Sequence, residues 1–108
     1  MEGPTPEQAQ SVLFLNLVIS FQTAALQQMG KLKNPFTDKI ERDLSQARMS
    51  IDIIEMIKTK TQGNLSGEES DFISRTLREL QLNYIDELEK DKKAAPASES
   101  KTDEKTEG

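Results

Sequence analysis

The chain has 108 residues with 14 Lys or Arg and 19 Asp or Glu, a formal net charge of −5, and no Cys, His or Trp. This length fits one small domain. The missing residue types exclude disulfides, Cys/His zinc sites, a Cys nucleophile and His acid–base catalysis. The acidic balance disfavours nucleic acid as a partner, because phosphate binding relies on clustered Lys and Arg.

The first predicted helix spans residues 6–29 and follows a flexible lead of residues 1–5. Thr5 suits the N-cap position, and Gln8 stands where it completes a capping box with Thr5. Gly30 follows the last apolar residue of the helical pattern, where a left-handed C-cap is expected.

The most apolar segment of the chain, Val12–Leu26, lies inside this first helix. A signal peptide needs basic residues ahead of its apolar run, but here the preceding segment contains acids such as Glu7 and no base. A membrane span needs about 20 apolar residues, whereas polar residues such as Asn16 and Ser20 interrupt this run. The segment therefore predicts a buried helix in a cytoplasmic protein, with no membrane span.

A connector of residues 31–42 follows, and Pro35 breaks any helix within it. The pattern predicts a second helix that begins between residues 39 and 44 and ends near Thr61. Gly63 then ends this helix, because a residue at this place commonly adopts the left-handed conformation.

The third predicted helix begins at Ser66, which is an N-cap residue with Glu69 as its capping-box partner. Asn64 belongs to the short turn that precedes it. So short a connection places the second and third helices side by side and antiparallel. The helix is expected to continue to about Lys90, and the charged tail of residues 91–108 is expected to be disordered, because it has too few apolar residues to form a core.

The sequence thus predicts an all-α fold, in which residues 6–90 form a three-helix bundle. A helix in a lone bundle needs only one apolar stripe, a little over 100° wide. The first helix is apolar on almost every side except one polar stripe, and the second helix has two apolar faces. The candidate surface for self-association or a partner comprises Phe14, Leu17, Val18, Phe21, Met49, Ile53 and Met56.

Two explanations account for this excess of apolar residues. Either a second copy of the chain covers them in a homo-oligomer, most simply a two-fold dimer, or the first helix is central and the rest of the chain covers it. We predict a non-enzymatic, self-associating interaction protein that uses no cofactor or metal. The alternative is a bundle whose apolar residues line a cavity for a small molecule or lipid.

The acidic residues with the best spacing for chemistry are Asp52 and Glu55, which share a helical face with Arg48. An acid–base or metal pair is one interpretation of this spacing. We favour an exposed ion-pair stripe, because Arg48 and Asp52 stand four residues apart and such pairs are common on helix surfaces.

One segment of the chain resembles a known family. Its most specific motif is Lys60–Ser66, Lys-Thr-Gln-Gly-Asn-Leu-Ser, followed by Glu68 and Glu69. Together with the apolar first helix and the Asn34-Pro35 pair, this motif resembles the bacterial family known as domain of unknown function 1844, over roughly residues 12–86. The resemblance implies a small, soluble, all-helical bacterial protein and assigns no activity or catalytic residue.

Overall fold

The computed structural model describes residues 3–94, which form three helices: α1 (Pro6–Gln28), α2 (Leu44–Lys60) and α3 (Gly67–Ala94). Each helix packs against the other two, and no strand occurs within the described residues. The predicted all-α three-helix fold is confirmed.

Reciprocal hydrogen bonds form the two predicted capping boxes. The Gln8 backbone N–H donates to Thr5 Oγ1 at 3.1 Å, and the Thr5 N–H donates to Gln8 Oε1 at 2.9 Å. Ser66 and Glu69 repeat this exchange at the start of α3, with the same two distances. These bonds satisfy backbone donors that the first turn of a helix leaves free.

The helix ends lie where the glycines predict them. Gly30 has φ +83° and Gly63 has φ +88°, both in the left-handed region that favours glycine. After Gly63, the Asn64 N–H donates to Thr61 O at 2.9 Å and closes the short turn between α2 and α3. Pro35 lies in the connector, outside any helix, as predicted.

The second helix begins at Leu44, at the end of the predicted interval. Its N-cap is Asp43, whose carboxylate accepts from the Gln46 N–H at 3.2 Å. The Asp43 N–H itself donates to Gln28 O at 2.7 Å, so the start of α2 is fixed beside the end of α1.

All three helices contribute apolar side chains to one core. The largest fully buried side chains belong to Met29 after α1, Ile54 in α2, and Ile73 and Leu80 in α3. Burial of each such side chain stabilises the fold by about 1.5–3 kcal/mol. The remaining buried apolar residues are Val18, Ala25, Ala47, Ile51, Ile57 and Leu77.

The prediction that Val12–Leu26 is a buried helix was wrong for most of its residues. Only Val18 and Ala25 are buried in α1. The reason is geometric: α2 and α3 pack on one side of α1, and the connector does not cover the opposite side. The explanation in which the rest of the chain surrounds a central first helix is therefore wrong for this segment.

The third helix is longer than predicted, since it continues past Lys90 to Ala94. The predicted tail of residues 91–108 is therefore helical in its first four residues. Asp91 accepts a hydrogen bond from Arg42 Nη2 at 2.7 Å, and Lys92 and Lys93 place positive charge at the helix C-terminus, where it is stabilising. The rest of the predicted tail lies outside the described residues.

Candidate interaction surface

The side of α1 that faces away from the bundle is its outer face. Val18 and Ala25 mark the inner side, and Asn16 and Ser20 lie nearly opposite them at about 100° per residue. Both residues are exposed. The predicted polar stripe therefore runs along the middle of the outer face.

Large apolar side chains lie on both sides of this polar stripe. Leu13 is 68% exposed and Leu17 is 45% exposed on one side, while Val12 is 56% exposed and Ile19 is 41% exposed on the other. A single exposed apolar residue is ordinary, but a contiguous apolar patch marks an interaction site. The exposed apolar residues on the outer face of α1 therefore indicate an interaction site.

The second helix extends the apolar surface on the side of Leu17. The Gln28 side-chain amide donates an N–H to Ser50 Oγ at 2.7 Å, which fixes the side of α2 that faces α1. Met49, Ile53 and Met56 lie together between about 60° and 120° around the helix from Ser50. Ile51 lies on the other side of Ser50 and faces α3. Met49, Ile53 and Met56 therefore lie along the outer edge of the α1–α2 contact.

We call this region the α1–α2 apolar surface, and five residues define it. Met49 and Met56 are exposed and Ile53 is partly buried. Methionine adapts its shape to different neighbours, which suits a contact surface. The complete set is Leu13, Leu17, Met49, Ile53 and Met56.

The predicted surface residues divide into three groups. Leu17, Met49 and Met56 are exposed; Phe14, Phe21 and Ile53 are partly buried against the core. Val18 was wrongly placed in the surface, because it has no exposed area and belongs to the core.

Sequence reasoning missed Val12, Leu13 and Ile19 as surface residues. The helical wheel showed apolar residues almost all round and so did not reveal which side faced inward. The spacing of Val18 and Ala25, seven residues apart and followed by Met29, is the pattern that identifies the inner side.

A group of charged side chains joins the connector to α3. The carboxylate of Glu87, of which only 8% is exposed, contacts Lys31 Nζ at 3.0 Å, Lys90 Nζ at 3.0 Å and Arg42 Nη2 at 3.1 Å. The hydrogen bond from Lys31, then the one from Lys90, lowers the pKa of Glu87 to about 2, against the opposing effect of burial. This buried carboxylate is fully paired, as burial of a charge requires, and its role is structural.

The carboxylates considered for chemistry form an exposed ion pair. Arg48 Nε lies 3.3 Å from Asp52 Oδ1, and more than half of each side chain is exposed. The predicted bridge between these two residues is confirmed. Among the residues that the structure describes, no three His, Cys, Asp or Glu side chains are grouped so that they could hold a metal ion.

Two cavities open on the surface of the bundle. The end cavity, about 550 Å³, lies between the start of α1 and the α2–α3 turn, and eight of its ten lining residues are polar. The second, which we call the α2–α3 groove, measures about 380 Å³. It is lined by Arg48, Ile51, Asp52, Glu55, Gln81, Tyr84, Ile85 and Leu88.

The exposed apolar residues of α1 are not part of either cavity lining. Val12, Leu13, Leu17 and Ile19 lie outside both sets of lining residues. They form an outward-facing surface, which is the shape expected of an interface with a large partner.

By length and composition alone, α1 is also apolar enough to cross a membrane. An 18-residue window within Pro6–Gln28 reaches a mean hydropathy of 1.5, and 11% of that window is buried. The core helix of a soluble protein meets the same two criteria, so they do not decide between lipid and protein. The polar side chains along the outer face of α1 oppose contact with lipid tails.

A family model, described as domain of unknown function 1844, matches residues 11–86. The chain belongs to this family. The match confirms the resemblance that the Lys60–Ser66 motif indicates, and it covers all three helices up to the middle of α3. No curated protein matches the chain, and no solved structure matches it.

Proposed function

We propose that this protein is a non-enzymatic interaction protein of the bacterial cytoplasm that associates with a second copy of itself through the α1–α2 apolar surface. The observation that carries the proposal is the exposure of Leu13 and Leu17 on α1 and of Met49 and Met56 on α2, the helix packed against it. Exposing such side chains forgoes about 1.5–3 kcal/mol each, so covering them favours association.

The size of the surface is adequate for a stable dimer. A helix of 23 residues, the length of α1, extends about 35 Å at a rise of 1.5 Å per residue. Two packed helices add a width of about 20 Å, since their axes lie about 8–10 Å apart. The whole outer face of the two helices therefore measures about 700 Å², and an ordinary specific interface buries roughly 800 Å² on each partner, so a dimer contact would use this face beyond the five apolar residues.

The polar stripe beside this surface is compatible with burial. Ser20 Oγ donates to Asn16 O at 2.8 Å, so the hydroxyl already has a partner when a second chain covers it. A buried polar group is costly only when it lacks a hydrogen bond. The side-chain amide of Asn16 is exposed and is available to pair across a two-fold axis, where a single polar residue can fix the register of two helices.

Sedimentation equilibrium at micromolar concentration tests the proposal. We expect a dimer for the natural sequence and a folded monomer for Leu13→Glu, because a carboxylate in the interface would lose its water without gaining a partner. Leu82→Glu is the matched control. Leu82 is 61% exposed on α3, away from the α1–α2 apolar surface, so this variant should remain a dimer.

The proposal fails if the natural sequence is a well-folded monomer over the whole concentration range. If that monomer also carries an apolar molecule detectable by native mass spectrometry, the alternative of a small-molecule or lipid-binding bundle takes its place.

A further inference from the structure

The most exposed large apolar side chain in the described residues lies outside the helices. Phe36, in the connector between α1 and α2, is 96% exposed. An aromatic ring carries a large apolar area, and leaving it in water is costly. A ring exposed to this extent offers a large apolar contact to another molecule.

A network of hydrogen bonds holds Phe36 in this position. The Phe36 N–H donates to Asn34 Oδ1 at 2.8 Å, and the Asp38 N–H donates to Asn34 O at 2.7 Å. The Asn34 N–H donates to Lys39 O at 2.8 Å, and Asn34 Nδ2 donates to Glu41 Oε1 at 2.8 Å. We call residues 34–39 the Phe36 turn.

The backbone of the Phe36 turn is also strained. Asp38 has φ +58°, the only positive value among the described residues other than glycine. Strain of this kind, about 1–3 kcal/mol, persists where the surrounding structure imposes it, and it is common at binding sites. The turn therefore fixes the backbone at Phe36, whose ring is exposed.

A rigid aromatic side chain fits a concave apolar pocket, and the same chain offers one. In the α2–α3 groove, Ile51, Tyr84, Ile85 and Leu88 supply half of the lining residues. In the end cavity, only Phe14 and Leu65 of the ten lining residues are apolar or aromatic. With a volume of about 380 Å³, the groove also lies within the range of known binding pockets.

Charges around the two features are complementary. Lys33 and Lys39 flank Phe36, and Lys33 makes only a long contact of 3.8 Å with Asp38. The rim of the α2–α3 groove carries Asp52 and Glu55. Arg48 pairs with Asp52, while Glu55 forms no ion pair within residues 3–94. Lysines beside an inserted ring would therefore meet a free carboxylate at the rim of the groove.

We propose that Phe36 of one copy of this protein inserts into the α2–α3 groove of a second copy. This contact joins two different surfaces and is separate from the α1–α2 apolar surface. Contacts between unlike surfaces extend an assembly beyond a two-fold dimer unless they close into a ring. This second contact is weaker than the dimer contact, so the two together would build assemblies larger than a dimer only above the micromolar concentrations at which the dimer is measured.

Disulfide cross-linking between two variants tests this contact, since the chain has no Cys of its own. Chains with Thr37→Cys, next to the ring, are mixed with separately purified chains with Gln81→Cys, in the groove. Only contact between different molecules can then form the mixed disulfide. We expect this product to exceed the one formed with Gln62→Cys chains at least tenfold, because Gln62 is exposed in the α2–α3 turn, outside the groove.

Three further substitutions test whether the mixed disulfide depends on the Phe36 ring. Adding Phe36→Ala to the Thr37→Cys chain should reduce the mixed disulfide to the Gln62→Cys level. Adding Leu32→Ala, which removes another exposed apolar residue of the connector, should leave it unchanged. Adding Leu13→Glu to both chains should also leave it unchanged, so that failure of the proposed dimer and failure of this contact are distinguishable.

Two results overturn the inference. One is a mixed disulfide that is no more abundant with Gln81→Cys than with Gln62→Cys, or that persists in Phe36→Ala. The other is Phe36-dependent binding to vesicles of anionic lipid without cross-linking, which would assign the ring to a membrane surface.

Discussion

The first and third helices differ in how their apolar residues are divided between the core and the surface. Along α3, the apolar residues that pack in the core lie on one face, and charged residues are frequent on the rest of the helix. Glu7 is the only charged residue between Pro6 and Gln28 in α1, yet the structure buries just Val18 and Ala25 there. The comparison shows that apolar content does not measure burial: α3 buries Ile73, Leu77 and Leu80 in the core, whereas the more apolar α1 buries only two residues.

The consequence concerns what stabilises each helix. The apolar face of α3 meets the core within one molecule, so its contribution to the free energy of unfolding is independent of protein concentration. The outer face of α1 contributes only when another molecule covers it, and binding stabilises the native state by mass action.

The largest predicted difference in stability is between Leu80→Ala, in the core, and Leu13→Ala, on the outer face of α1. Leu80 is 2% exposed, and its truncation should lower the free energy of unfolding by about 2–5 kcal/mol at any concentration, through lost burial and a cavity. Leu13→Ala should cost under about 0.5 kcal/mol in the monomer. Urea unfolding followed by circular dichroism, at high and low protein concentration, measures both; an equal loss at low concentration would contradict the comparison.

The second prediction concerns the charged contacts that connect α3 to the connector. The pKa of Glu87, about 2, is lower than the ordinary value of 4.5, so the folded protein favours the ionised form. This contribution is complete above about pH 4.5 and disappears as the pH falls through about 2, with a loss of about 3 kcal/mol. Glu87→Gln should be less stable at pH 7 and should lose less stability over this acid range.

A pH series of thermal melts checks this expectation, with Glu89→Gln as the control. Glu89 is an exposed neighbour on α3, and its replacement should keep the acid-dependent loss of the natural sequence. Identical pH profiles for Glu87→Gln and the natural sequence would show that other carboxylates cause the loss.

The smallest predicted effects compare the glycine after α1 with the glycine before α3. Both adopt positive φ, which costs a residue with a side chain about 1–2 kcal/mol. A Cβ at Gly30 would lie 3.1 Å from Arg42 Cδ, whereas a Cβ at Gly63 meets nothing within 4 Å. Gly30→Ala should therefore lower the melting temperature more than Gly63→Ala, and the reverse order would contradict this account.

Local sequence patterns predicted the helix boundaries well. The capping residues Thr5 and Ser66, and the glycines at positions 30 and 63, act through hydrogen bonds and backbone angles within a few residues of the chain. The end of α3 was predicted four residues too early, because composition alone did not show that Arg42 reaches Asp91.

Patterns were less informative for the interaction surface. Leu17, Met49 and Met56 were identified from the excess of apolar residues, but Val18 was assigned to the wrong side and Leu13 was missed. Phe36 was not singled out at all, since an aromatic residue after Asn-Pro has no periodic pattern that distinguishes an exposed ring from a packed one.

The sequence by itself determined the three helices, their caps, the α2–α3 hairpin and the surplus of apolar residues, because short-range geometry and composition govern these features. Only the tertiary structure decided that the inner side of α1 runs through Val18 and Ala25, that Glu87 binds Lys31 and Arg42, and that Phe36 is exposed. The physical reason is that a helix with apolar residues on nearly every side can pack through any of them, and contacts with the neighbouring helices determine which side is buried. That choice depends on contacts between residues far apart in the chain.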